Sequence, residues 1–167
     1  LGGKGLFTRE LEEGLASGAI DLAVHSMKDM PTALPDGLAI PCVLPREDPR
    51  DGFLSEKAAS LGDLPAGAVV GTASLRRQAQ VLRRRPDLKV ENLRGNVETR
   101  LKKLADGVVD ATLLAVAGLR RLGLEDRLTA ALEPEDMLPA VAQGIIGIEY
   151  RAGDVSVAGR LASLHHE

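Results

Sequence analysis

Two consecutive arginines stand at Gly71-Thr72-Ala73-Ser74-Leu75-Arg76-Arg77, where a short apolar run gives way to helical spacing. Thr72 or Ser74 can cap such a helix, which leaves first-turn N–H groups to meet an anion. Cations in a first turn oppose the helix dipole. A ligand carboxylate bound by both Arg76 and Arg77 would resolve that conflict; exposed arginines beside a cap are the plainer alternative. Helical spacing puts Leu75, Ala79 and Leu82 on the buried stripe, with the two arginines at its sides. Leu93-Arg94-Gly95-Asn96 repeats the arrangement: Arg94 ends a strand, Gly95 lets the backbone come close, and Arg100 follows near the edge of a face made by Val97, Leu101 and Leu104. In an open α/β sheet, ligands sit beyond the carboxyl ends of the strands. The planar guanidinium fork matches a carboxylate with two parallel hydrogen bonds. A polycarboxylate or a phosphate is the ligand class this implies.

A second group lies at His25-Ser26-Met27-Lys28-Asp29-Met30-Pro31, at the end of another apolar run. A carboxylate beside a lysine at a strand's end is an acid/base position. The same residues before Met-Pro also fit a plain turn. His25 alternates with buried positions and reads as a satisfied core or supporting group. Gly2-Gly3-Lys4-Gly5 lacks the P-loop spacing. His165 and His166, adjacent on a helix, point apart and make a poor metal pair, so no metal is expected. Cys42 has no basic neighbour and reads as a buried structural thiol.

The chain has 167 residues, 44% hydrophobic and 27% charged, which excludes a disordered, collagenous or coiled-coil chain. Its only aromatics are Phe7, Phe53 and Tyr150. A base-stacking nucleic-acid platform needs more such planes, so no nucleic-acid partner is expected. The net charge of −3 is unevenly spread: ten basic residues against three acids give +7 between Thr72 and Lys103, and the rest carries −10. A positive block in an acidic chain suggests an anion site; a solvated helix face is the alternative. One cysteine excludes an internal disulfide. No apolar run approaches the roughly 18 residues that span a membrane, so a cytoplasmic protein with no membrane partner is expected.

Helices are expected over Leu6–Gly18, Ser74–Arg85, Asn96–Ala105 and Val155–His165, with a short one ending near Leu122. Strands are expected over Ile20–His25, Leu38–Leu44, Ala68–Gly71, Lys89–Leu93, Asp110–Val116 and Gly144–Tyr150. Pro31 to Gly52 is otherwise turn-rich, with Asp51-Gly52 as one of its turns, and is the candidate crossing between two domains. Alternating strands and helices argue for a parallel sheet covered by helices.

Seven motifs then resemble one family in order along the chain. They are Gly-Gly-Lys-Gly-Leu-Phe-Thr (2–8), Asp-Leu-Ala-Val-His-Ser-Met-Lys-Asp-Met-Pro (21–31), Arg-Glu-Asp-Pro-Arg-Asp (46–51), Gly-Thr-Ala-Ser-Leu-Arg-Arg-Gln (71–78), Leu-Arg-Gly-Asn-Val (93–97), Ala-Gly-Leu-Arg-Arg-Leu-Gly-Leu (117–124) and Leu-Pro-Ala-Val-Ala-Gln-Gly (138–144). The family they resemble is porphobilinogen deaminase, also called hydroxymethylbilane synthase. The resemblance implies two periplasmic-binding-protein-like (type II) domains with mixed, mostly parallel sheets and a cleft between them. Domain 1 would be 1–44 with 145–167, and domain 2 would be 45–144. It implies stepwise head-to-tail condensation of four porphobilinogen molecules with release of ammonia, through an electron-poor azafulvene and a cationic pyrrole, in tetrapyrrole (haem) biosynthesis. A covalent dipyrromethane cofactor would sit on a cysteine of a third domain, not on Cys42.

Carried over by motif, Asp29 resembles the catalytic aspartate, and Ser26 and Lys28 its cofactor and substrate contacts. Arg76, Arg77, Arg94, Arg100 and Arg121 resemble the arginines that hold acetate and propionate groups, with Thr72, Ser74, Gly95 and Gln143 beside them. Lys4 and Phe7 fall on the segment resembling the mobile lid. The resemblance also implies a monomeric full-length enzyme. It further implies that this stretch lacks the N-terminal strand and the cysteine-bearing domain, and so does not turn over alone. Ala73 and Ala142 stand where Ser and Gly are usual in the family. A non-catalytic polycarboxylate-binding module, which would need no Asp29, is the competing reading.

Overall fold

The computed structural model describes residues 4–166, with side chains from residue 8 onward. In chain order the elements are α1 (Lys4–Ser17), β1 (Leu22–Ser26), a 3-10 turn at Met27–Asp29, β2 (Leu38–Val43), β3 (Asp51–Leu54), β4 (Val69–Gly71), α2 (Leu75–Arg84), β5 (Lys89–Glu91), α3 (Val97–Ala105), β6 (Ala111–Ala115), α4 (Val116–Arg121), β7 (Ala130–Leu132), β8 (Ile146–Arg151) and α5 (Val155–Leu161). Contacts divide the chain into two compact units, Leu1–Glu47 with Val141–Glu167, and Asp48–Ala140. Residues 45–47 and 141–144 thus go with the first unit, whereas the sequence placed the exchanges at 44/45 and 144/145. They are held there by each other: Glu47 N–H donates to Gly144 O at 3.1 Å and Arg46 Nε to Gln143 O at 3.0 Å. Gly144 has φ +93, and a Cβ there would overlap the Glu47 carbonyl oxygen, so the close approach of the two segments requires glycine.

In the first unit β8 lies between β1 and β2, antiparallel to both. Its register sets Leu22 opposite Tyr150 and Ser26 opposite Ile146. The pairing of β2 shifts between Ala39 and Cys42, around Pro41, which has no N–H to give the ladder. Strand alternation sends Ala23 and Leu38 against Leu15 of α1, and Cys42, Ile148 and Tyr150 against Val157 and Leu161 of α5. Cys42 is buried, its Sγ near Leu161 O.

The second unit carries a five-stranded sheet in the order β5-β4-β6-β3-β7. Here β4 is parallel to β5 and β6, while β3 is antiparallel to β6 and β7. Both faces are covered: Phe53 and Leu113 pack with Val70, Val81 and Met137, whereas the next residues along, Leu54 and Leu114, pack with Leu93, Leu101, Leu104 and Leu119. The α/β class with mixed sheets therefore holds. Parallel pairing does not dominate, because among the described strands two pairs are parallel and four antiparallel. Two elements were hidden in the sequence. β3 lies where Asp51-Gly52 was expected to turn, and β7 was not anticipated. The last helix stops at Leu161 rather than His165, and the chain beyond it turns back so that His166 N–H donates to Val43 O at 2.9 Å.

Candidate functional site

In the first unit, β1 delivers the Met27–Asp29 turn. Asp29 is exposed, and Ser26 and Lys28 are half-buried. The turn is anchored where Met27 N–H donates to Ile145 O at 3.0 Å and Lys28 Nζ to Gln143 Oε1 at 3.3 Å. Gln143 itself is almost fully buried. Asp29 lines a cavity of about 370 Å³ with Thr8, Glu12, Met30 and Pro31. Burial pushes the Glu12 carboxyl up from its ordinary range; the charge of Glu149 adds to this and that of His25 opposes it. His25 Nε2 lies 2.8 Å from Glu149 Oε2, both groups buried, so the expectation of a satisfied supporting histidine holds. An exposed carboxylate on a firmly held turn, open to a cavity, can take and return protons. The side chains of Lys4 and Phe7 lie outside the described residues.

In the second unit, Thr72 follows β4 and is buried, its N–H on Glu91 O at 2.9 Å and its Oγ1 accepting from Ser74 N–H at 3.2 Å. Ser74 caps α2, with Oγ accepting from Arg77 N–H at 3.4 Å. These hydroxyls are engaged in shaping the junction. The two arginines that follow have a partner that the sequence reading did not foresee. Arg76 Nη2 donates to Asp51 Oδ2 and Arg77 Nη2 to Asp51 Oδ1, each at 2.6 Å. The anion that offsets two cations in a first turn is thus a carboxylate of the chain itself, fully buried at the start of β3. The buried face of α2 also differs from expectation: Leu75 is 79% exposed and Leu82 41%, while Arg77 and Val81, one turn apart, point inward.

Arg77 Nη1 further donates to Leu113 O at 2.8 Å, but its Nε is buried with no hydrogen-bond partner among the described residues. Arg100 is half-buried on α3, its Nε on Gly95 O at 2.8 Å. Desolvation lowers its pKa and the nearby charge of Arg77 lowers it further. Two guanidinium groups close enough to repel, one with an unmet buried N–H, form a place that an anion would relieve. Arg94 is exposed, and its side chain meets no carboxylate among the described residues; Gly95 beside it has φ +127. Arg121 is exposed in the last turn of α4. The structure therefore brings together Arg76, Arg77 and Arg100, with Thr72 and Ser74 holding the junction, and brings Ser26, Lys28, Asp29 and Gln143 together in the first unit. Sequence reasoning missed Asp51, Glu12 and Glu149. For Asp51 there was a signal: an Arg-Arg pair that opens a helix calls for an acid, and the chain supplies its own.

Solved structures with this fold are periplasmic-binding-protein-like. A periplasmic substrate-binding protein of an ABC transporter from Coxiella burnetii aligns with TM-score 0.56 and 15% identity, over 93% of this chain and 75% of its own. A nutrient-binding protein from Burkholderia cenocepacia, bound to methionine, aligns with TM-score 0.54 and 17% identity, over 90% and 73%. At such identities the likeness is one of fold alone. Residues 1–159 match the family described as porphobilinogen deaminase, dipyromethane cofactor binding domain. The chain is 62% identical to the chloroplastic porphobilinogen deaminase of Pisum sativum over 100% of its own length and 46% of the relative's. It is 67% identical to the porphobilinogen deaminase of Nitrobacter hamburgensis over 92% of its length and 49% of the relative's. The chain belongs to the porphobilinogen deaminase family, and it spans about half the length of the curated relatives it matches.

Proposed function

We propose that this chain is part of a hydroxymethylbilane synthase, which joins four porphobilinogen molecules head to tail and releases one ammonia at each addition. The family match across residues 1–159, which includes the Asp29 turn and the arginine junctions, carries this reading. Ammonia loss leaves an electron-poor carbon, and attack by the next pyrrole creates a cationic ring. Asp29 stabilises that charge and moves the proton. Ser26 and Lys28 contact the substrate beside it, and Lys4 and Phe7 keep the lid role that the family resemblance gives their segment. Arg94, Arg100 and Arg121 bind acetate and propionate groups, as do Arg76 and Arg77 through N–H groups not directed at Asp51. Thr72, Ser74, Gly95 and Gln143 shape the contacts.

Taken unit by unit, the residues suit parts of the family's dipyrromethane cofactor: in the second unit the unmet Arg77 Nε–H and the desolvated Arg100 would suit carboxylates, and in the first Asp29 would suit pyrrole N–H groups. When bound, the cofactor supplies the primer to which pyrroles are added. Cys42, 2% exposed in a packed core, is not its attachment point in this reading. No helix among the described residues is long and apolar enough to cross a membrane, and we place the enzyme in the cytoplasm as a monomer with no nucleic-acid partner. A non-catalytic anion-binding module is not favoured by relatives named as deaminases.

The Asp29→Asn variant of the full-length enzyme tests the assignment. Turnover should fall by about 10²–10⁴-fold while porphobilinogen still binds. Near-parental turnover would remove Asp29 from the chemistry.

A further inference from the structure

The stretch Gln143–Glu149 meets the Asp29 turn and the end of β1 at every second residue. Gln143 Oε1 accepts from Lys28 Nζ at 3.3 Å, and Ile145 O accepts from Met27 N–H at 3.0 Å. Gly147 gives up its side chain to Met27: a Cβ there would overlap Met27 Sδ. Glu149 Oε2 lies 2.8 Å from His25 Nε2. Residues 143, 145, 147 and 149 therefore hold 28, 27, 27 and 25, in the order that antiparallel pairing of β1 with β8 dictates. The last of these holds is chemically odd. Glu149 has no exposed surface, and its Oε1 has no hydrogen-bond partner among the described residues. An apolar pair of similar volume at such a place is often as stable as a buried His–Glu pair, or more so. Stability alone therefore does not account for it. Direction does, because the short contact fixes the imidazole, and with it the last turn-bearing residues of β1, at one height against β8.

We infer that Glu149 is a positioning residue for the reaction: through His25, and together with Gln143, Ile145 and Gly147, it sets where β1 presents Asp29. This rests on the reading of Asp29 as the group that moves protons. Glu149 touches no substrate; its contribution is the geometry of a carboxylate four residues along the chain from the histidine it holds.

In the full-length enzyme, His25→Leu with Glu149→Leu replaces the pair by apolar groups. The expected result is a folded protein with kcat lowered on the order of 100-fold and KM changed by less than about threefold. Glu149→Gln keeps an oxygen that accepts from the imidazole and should hold kcat within about threefold of the parent. Parental kcat in the folded double-leucine protein overturns the inference. So does an equal loss in Glu149→Gln, which would tie the effect to charge rather than to the hold. Where the double-leucine protein does not fold, Gly147→Ala decides: it displaces Met27 from the neighbouring contact, with the same expected loss and the same overturning result. Asp29→Asn, run alongside, separates the two assignments. If it retains turnover, the acid role fails by itself; if it is inactive while the double-leucine protein is fully active, only the positioning role fails.

Discussion

Asp51 receives one guanidinium on each carboxylate oxygen, from Arg76 and from Arg77. Removing the acid's charge leaves two cations facing a buried amide, one of them 6% exposed. Breaking a buried pair from one side costs about 3–5 kcal/mol, and Asp51→Asn should lower the unfolding free energy by that order in urea titrations. A change below about 0.5 kcal/mol would mean that solvent already screens the trio. The residue types of this trio were all visible in the sequence, yet its meaning was not. Two arginines in a first turn announce a missing anion, and nothing local says whether it comes from a ligand or from a strand 25 residues away. Likewise His25 could be read as a supporting group, but its partner Glu149 sits inside an apolar strand, and only the register of β1 on β8 brings the two together.

Helices were the most legible elements because their ends carry chemistry. Ser74, Asn96 and Asp154 cap α2, α3 and α5, and the first two were readable as polar residues at a change of periodicity. Asn96 Oδ1 accepts from Thr99 N–H at 2.8 Å, against 3.4 Å for the Ser74 cap. Asn96→Ala should cost about 1 kcal/mol in thermal or urea melts, and Ser74→Ala less. The reverse order would mean that cap length does not govern the cost. Strands were harder. β3 begins with Asp51-Gly52, a pair that normally marks a turn, inside a run of prolines. It is a strand because β6 and β7 flank it, and because Leu128 occupies the space a Gly52 side chain would need. Tertiary pairing overrides local preference there, and a single sequence carries no mark of it.

Across the molecule, protonation of some carboxylates and ionisation of another each oppose stability. Arg50 holds Asp48 below the ordinary carboxylate range by hydrogen bonding, Lys57 does the same for Asp110, and the α5 N-terminus, led by Val157 N–H, does it for Asp154. Acids lowered by folding stabilise above their unfolded values and lose that contribution as pH falls through their folded ones. Glu12 is raised by burial and by Glu149, so its contribution is full below its unfolded value and fades as pH rises through the folded one. Glu12→Gln, which mimics the protonated form, should therefore raise Tm near pH 7 and leave it unchanged near pH 4, in scans across that interval. An equal gain at both values would refer the effect to something other than that proton. Charge couplings of this kind were out of reach of the sequence, because Glu12 and Glu149 lie 137 positions apart.

The placement of β8 between β1 and β2 has a consequence for how the protein is born. On a ribosome, Asp48–Ala140 emerges whole before Ile146 appears, so the inner unit can reach its native state while the outer sheet still lacks its middle strand. Until then β1 and β2 wait with unpaired edges, a window in which a chaperone rather than the chain's own partner strand would have to shield them.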